Sequence, residues 1–256
     1  MTPEKELLFL FNKEDHLTLF DIGSCDATQA IIYTKLFPNA KLFVFEPVPS
    51  NFQKIQKRIA AGNYSKIQAY EEALSDSVGE SQMFVSSSEE NKEMVAEQSS
   101  SLLPPDKHLE IYPLRHFDKR IIVKTNTIEN FCSQQHLSKI NFAHIDVQGA
   151  ELMVLKGASD FINKIDALWL EVEHISLYKN QPLRKDIEMF MTRNGFLLIK
   201  FRVGGHSGDQ LYVSKKILKI KAGKAKYFWL EVKAYLLRTS IYTNGSKMKR
   251  MILKRI

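Results

Sequence analysis

The sequence predicts an α/β fold in which a mostly parallel sheet, finished by an antiparallel hairpin, carries helices on both faces. Three observations lead there. Strand-like segments alternate with segments of helical spacing along most of the chain, the order that builds a parallel sheet through crossover helices. The last two strand-like segments, GFLLIKFRV and GDQLYVSKK, are joined by a short glycine-rich stretch, GGHSG, which suits a hairpin and not a crossover. A length of 256 residues suffices for one sizeable domain with a buried core plus an appendage.

The elements follow in order. LTLFDIG (17–23) reads as the first strand, ending near Gly23, and a helix runs from about Thr28 to Phe37, closed by Pro38. KLFVFEP (41–47) is the second strand. Pro49 and Ser50 open the next helix, with Ser50 as its cap and Gly62 as its stop; Phe52, Ile55 and Ile59 recur at helical spacing. A third strand covers Ile67–Ala73, SVGE reads as a turn, and SQMFVS as a short strand. Residues 86–108 are polar, Ser-rich and closed by a proline pair, without periodicity; a loop of that length is either functional or disordered. The pattern resumes with the strand KRIIVKTNTI, the helix TIENFCSQQ, the strand INFAHIDV (140–147), the helix QGAELMVLKGAS and the strand DALWLEVEH (166–174). The helix LRKDIEMFMTRNGF, with Ile187, Phe190 and Met191 on one side and an Asn-Gly stop, precedes the hairpin.

Bulk properties narrow the class. Apolar runs are far shorter than the ~20 residues that span a bilayer. The N-terminus has acidic residues before its short apolar run, against the pattern of a secretory signal. Two cysteines, Cys25 and Cys132, make no disulfide framework, so a reducing, cytoplasmic compartment is expected. Charge is uneven. Residues 215–256 hold 13 Lys and Arg against one acid, Glu231, a net of +12, whereas residues 1–214 hold 23 basic and 28 acidic residues, a net of −5. The pI of 9.2 therefore reports a basic tail on a mildly acidic domain, which argues against a nucleic-acid-binding fold.

The turn DIGSCDA poses the chemical question. A dinucleotide fingerprint reads G-x-G-x-x-G, and here Gly23 stands alone, with Cys25 and Ala27 at the other places. A pyrophosphate needs backbone approach that the second glycine permits; a cofactor without phosphates, such as S-adenosylmethionine, tolerates a turn poorer in glycine. Glu46 ends the neighbouring strand, where a carboxylate can accept both hydroxyl protons of a ribose. The alternative for Glu46 is a solvated strand end, but Asp21 and Gly23 lie one strand away at the sheet's ligand-binding edge.

Taken together, FDIGSCDA, FEPVPSNF, EEALSDSVGE, SSSLL, HIDVQGAELMVLKGA and GDQLYVSK follow one another as in the FkbM-type S-adenosylmethionine-dependent methyltransferases. The resemblance covers about residues 15–215, and IDVQGAELMVLKGA is its most specific block. It implies a seven-stranded class I, Rossmann-like methyltransferase domain over residues 1–215, and methyl transfer to a hydroxyl of a glycan, sugar or other natural-product acceptor. It also implies that Asp21, Gly23 and Ser24 form the cofactor loop, that Glu46 holds the ribose and that Asp76 lies near the adenine. This chain departs from the family at Ala27, where a glycine is usual, at His144, where a lysine is common, and at Gln148, where a glutamate is common.

An aliphatic hydroxyl is a poor nucleophile, so a base is expected beside it. Asp146 and then His174, at the carboxyl ends of adjacent strands, are the candidates. The alternative for Asp146 is a helix cap, and for His174 a surface histidine. Glu151 suits a helix dipole, and Glu171 has no assigned role. No Cys/His cluster has metal-ligand spacing, so no structural zinc is expected; acidic residues are plentiful enough to leave Mg²⁺ open. Nicotinamide-dependent oxidoreduction and a catalytically silent binding module remain the alternatives. The extension 216–256 mixes lysines with aromatics. Phe228, Val232, Tyr235 and Leu236 share one side of a helical wheel, and Lys226 and Lys233 another. That suits a helix lying on an anionic inner membrane surface; the other reading is a helix packed on its own domain or on a second subunit of a homodimer.

Overall fold

A computed structural model describes residues 3–88 and 98–242. In chain order it contains α1 (Glu4–Leu10), β1 (Thr18–Ile22), α2 (Thr28–Leu36), β2 (Lys41–Phe45), α3 (Pro49–Ala61), β3 (Ile67–Tyr70), β4 (Ala73–Leu74) and β5 (Gly79–Ser88). After these come α4 (His108–Ile111), β6 (Arg115–Asn126), α5 (Ile128–Gln134), β7 (Ile140–Ile145), α6 (Glu151–Lys156) and a 3₁₀ turn (Ser159–Lys164). The chain continues through β8 (Ile165–Glu173), α7 (Arg184–Arg193), β9 (Phe196–Gly204), β10 (Ser207–Ser214) and α8 (Lys215–Tyr242).

Seven strands form one sheet in the order β3-β2-β1-β7-β8-β10-β9. The first five run parallel, and β10 lies antiparallel between β8 and β9. This is the seven-stranded class I arrangement that the resemblance implies. Alternation along the central strands puts the apolar side chains on two faces. Phe20, Ile22, Phe43 and Phe45 face a layer made with Phe131, Val154, Leu155, Ile187 and Met191 of α5, α6 and α7. Leu19, Leu42, Val44 and Phe142 face a second layer made with Leu7 and Leu10 of α1, Tyr33 of α2 and Ile217 and Leu218 of α8. Helices therefore cover both faces, as expected.

Several boundaries differ from the sequence reading. The segment read as one strand, Ile67–Ala73, is two. It pairs with β2 only through Tyr70, and after Glu71 and Glu72 the chain enters a separate three-stranded sheet, β4-β6-β5. That sheet has its own small core of Val48, Ala73, Met83, Val85 and Val123. Helix α3 starts at Pro49 with extended Val48 at the cap position, so Ser50 lies inside the first turn, where proline's fixed φ already starts the helix. Helix α6 begins at Glu151 after Ala150, and Asp146 does not cap it. The N-terminal helix α1 was not foreseen. Its Leu7 and Leu10 are buried, three residues apart on one face. Of the Ser-rich loop 86–108, residues 89–97 lie outside the described residues.

Candidate active site

The site starts at the turn after β1. Gly23, Cys25 and Ala27 all have positive φ, at 78°, 55° and 60°. A Cβ at Gly23 would run into the carbonyl oxygen of Asp146, so the turns after β1 and β7 touch because position 23 has no side chain. Cys25 and Ala27 adopt the left-handed backbone despite carrying side chains, at about 1–2 kcal/mol each. The turn thus keeps the course of a glycine-rich loop with only one glycine in it. Asp21 ties it to the next helix: its buried Oδ2 accepts from Ser24 Oγ at 2.6 Å and from the Ala30 amide at 3.1 Å. Burial raises the Asp21 carboxyl above its usual range, with His144 acting in the opposite sense. The Cys25 thiol is pushed up to about 12 by burial and then by Glu46, which removes it as a nucleophile.

Glu46, just past β2, is buried and directed at this turn. Its Oε2 accepts the Cys25 amide and its Oε1 the Val48 amide, both at 2.9 Å. Carboxylate oxygens held by backbone donors keep further lone pairs for a ligand. Glu46 lines an apolar cleft of about 510 Å³ with walls from Ile22, Phe45, Pro47, Leu74, Met83 and Leu102. A second, polar cleft of about 860 Å³ adjoins it, lined by Asp21, Ser24, Asp26, Thr28, Ser99 and His144. Gly23, Cys25, Gln98, Asp146 and Gln148 line both. An apolar slot, a buried carboxylate at its rim and a polar compartment fit the aromatic base, the ribose and the amino-acid end of S-adenosylmethionine.

Asp146 follows β7, and its side chain is held by a residue the sequence reading treated only as a departure. Gln148 Nε2 donates to Asp146 Oδ1 at 2.8 Å and to Glu171 Oε2 at 2.9 Å. Its Oε1 lies 3.5 Å from Tyr178 Oη, which donates to the Ser99 carbonyl at 2.7 Å. Gln148 has positive φ, and its carbonyl accepts from Ser101 Oγ at 2.7 Å. The described end of the Ser-rich loop is thereby fastened over the site, and Ser101 also pairs with Phe84 of β5. Behind Asp146 lie two buried acids, Glu151 and Glu173, and the half-buried Glu171. Glu151 Oε1 accepts the Val147 and Gly149 amides at 3.1 and 3.2 Å, and burial pushes its carboxyl up to about 7. Glu171 is raised well above the carboxylate range by burial and by the charges of Asp146 and Glu173. Glu173 is pushed up to about 9 by burial and then by Glu151.

The structure brings Asp21, Gly23, Ser24, Glu46 and Asp146 together. Two expected residues lie apart from them. Asp76 is exposed and lines neither cleft; Glu72 lines the apolar one instead. With β3 ending at Tyr70, the acid at its carboxyl end is Glu72, and reading the strand on to Ala73 hid that. His174 lines neither cleft; its backbone amide donates to the His206 carbonyl in the β9–β10 turn. Burial and then Arg184 lower the His174 pKa. His144 does enter the polar cleft, sharing a 2.9 Å hydrogen bond between Nδ1 and Tyr33 Oη. Among the described residues no group of three or more His, Cys, Asp or Glu is arranged to hold a metal ion.

The methyltransferase FkbM domain matches residues 21–198. The chain is 30% identical over 215 residues to the 2-O-methyltransferase NoeI of Sinorhizobium fredii, covering 83% of this chain and 85% of that protein. It is 24% identical over 149 residues to Methyltransferase 1 of Beauveria bassiana, covering 57% and 60%. A solved structure of M. capricolum TrmK with S-adenosyl-homocysteine superposes with a TM-score of 0.46 at 10% identity, over 100% of this chain and 94% of that one. The strand order, the turn after β1 and the extent of the domain match agree: the chain belongs to the FkbM family of S-adenosylmethionine-dependent methyltransferases.

Proposed function

We propose that this protein transfers the methyl group of S-adenosylmethionine to a hydroxyl oxygen of a glycan or a related small-molecule acceptor, with Asp146 as the base. One observation carries the reading: Asp146 lines both the apolar and the polar cleft, between which cofactor and acceptor would meet. Similarity to a 2-O-methyltransferase supports oxygen as the acceptor atom. The nicotinamide alternative has no support from the family.

S-adenosylmethionine, when bound, supplies a methyl group on a sulfonium sulfur for in-line displacement. The chain's own residues do the rest. Ile22, Phe45, Leu74 and Met83 would receive the base, and Glu46 would accept from the ribose hydroxyls. Asp21 and Ser24 keep the turn in shape. Asp146 takes the acceptor's hydroxyl proton at its carboxylate, and Gln148 holds that carboxylate in one orientation, which lowers the cost of alignment. Ser99, Ser100 and Leu102 narrow the mouth against water. Asp76 and His174 are left without a part in this scheme.

The test is turnover with S-adenosylmethionine and a panel of mono- and oligosaccharides. Expected are release of S-adenosylhomocysteine and a mass gain of one methylene on an acceptor. Asp146→Asn should keep cofactor affinity and lose turnover by about 10²-fold or more. Cofactor binding without turnover on any hydroxyl acceptor assigns the site to binding alone, and absence of cofactor binding by calorimetry overturns the reading.

A further inference from the structure

Helix α8 has two faces that do different things. It is broken at Gly223, where φ is 68° and ψ 167°. Beyond the break, Tyr227 and Leu230 pack on the second core layer and Ala234 is buried in it. Leu230 closes a groove with Phe9 and Leu10 of α1 and Ile199 and Val213 of the sheet. That side satisfies the fold. The other side holds Phe228 and Trp229, edge to face with ring centres 5.8 Å apart and 59% and 53% exposed, and Tyr235, 60% exposed. Before the break, Ile220 is 80% exposed between the exposed Lys219 and Lys221. Large apolar side chains gathered on one strip of a monomer mark a contact surface.

Charge says what the strip contacts. Its one acid, Glu231, is engaged locally: Tyr227 Oη donates to it at 2.7 Å and Lys215 Nζ lies at 3.8 Å. Residues 215–242 hold eight Lys and Arg against that one acid, so the charge of the helix is almost unopposed. A second copy would bring the same helix, net +7 over residues 215–242, against itself in a two-fold interface, which repels. A surface that is anionic and has an apolar layer just below it matches both properties. Rings of Trp and Tyr sit well at that boundary, and Lys side chains reach up to the phosphates.

We propose that the outer face of α8 docks this methyltransferase on an anionic lipid bilayer. Phe228, Trp229 and Tyr235 enter the headgroup boundary, and Lys216, Lys219 and Lys221 lie on lipid phosphates. This surface is separate from the clefts around Asp146, so the inference stands independently of the acceptor.

Co-sedimentation of the full chain with vesicles of equal parts phosphatidylglycerol and phosphatidylcholine, and of phosphatidylcholine alone, tests it. Binding is expected to the first and not the second, weakening by about tenfold or more between low and high salt. Combined Phe228→Ala, Trp229→Ala and Tyr235→Ala should raise the lipid concentration for half-binding by about tenfold or more and remove what survives high salt. Cofactor affinity should not change. The intact chain offers a second readout. Trp169 is buried, so a blue shift of tryptophan emission on adding anionic vesicles reports Trp229 entering the boundary. No sedimentation and no blue shift overturns the proposal. So does a triple variant that sediments as well as the parent, one that turns a dimer into monomers on gel filtration, or a chain that binds single-stranded RNA but not vesicles.

Discussion

Gln148 divides its amide between two acids, Asp146 and Glu171, at 2.8 and 2.9 Å, and that division has a measurable consequence. Gln148→Glu replaces a shared donor with a third carboxylate. Added negative charge makes proton loss from the group harder, so the rising limb of the kcat–pH profile should move to higher pH; an unmoved profile would remove Gln148 from the positioning of Asp146. Glu46→Ala should weaken S-adenosylmethionine binding by about 2–3 kcal/mol, the range of hydrogen bonds to a charged group, in a chain that still folds; titration calorimetry reads it. Positions such as Glu46 and Asp146 were legible in the sequence because an acid at the carboxyl end of a parallel strand faces the ligand crevice wherever the strand ends. Asp76 and His174 were not, because their placement depends on where β3 stops and on the turn that covers the end of β8. Gln148 carries no signal of its own. Its partner Glu171 is 23 residues away and meets it only after β7 and β8 pair.

Among the elements, the hairpin, the crossover helices and the turn after β1 were readable from periodicity and glycine placement. The break between β3 and β4 was not, since Ile67–Ala73 looks like a continuous strand until pairing ends at Tyr70. Helix α8 was readable as a helix with one apolar side, but whether that side met lipid or the protein's own core was left open. The sequence wheel grouped Phe228, Val232, Tyr235 and Leu236, whereas the packed side is Tyr227, Leu230 and Ala234. Ile217 and Leu218 are buried, worth about 1.5–3 kcal/mol each. Truncation after residue 215 should therefore lower the melting temperature by at least about 6 °C, at roughly 2–4 °C per kcal/mol, by scanning fluorimetry. An unchanged Tm would mean that α8 does not pack on the sheet.

For the molecule as a whole, the acids behind Asp146 set a pH dependence. Glu151, Glu171 and Glu173 hold protons in the folded chain to about 7, well above the usual range, and to about 9. The unfolded chain releases them near the ordinary glutamate value, about 4.3. Folding therefore binds protons in this window, and stability falls as pH rises through it. His108, lowered to about 4 by burial, acts in the opposite direction below about pH 6.5, so the decline should be clearest between pH 7 and 9. Glu173→Gln should raise Tm at pH 8 and flatten the slope; a Tm that climbs over that range would contradict the burial of these acids. The mostly parallel large sheet with its closing hairpin was foreseeable, but the small sheet was not, because β5 and β6 alternate like any other strands and nothing local says which sheet they join. That small sheet leaves and rejoins the body at neighbouring points: Leu74 lies opposite Asn126, and the Ser75 amide donates to the Asn126 carbonyl at 2.7 Å. Between those points the chain contributes Met83, Gln98, Ser100 and Leu102 to the cleft. A segment with adjoining ends behaves as a cassette. A change confined to it therefore reshapes one wall of the apolar cleft while the turns after β1 and β7, which belong to the large sheet, keep their course.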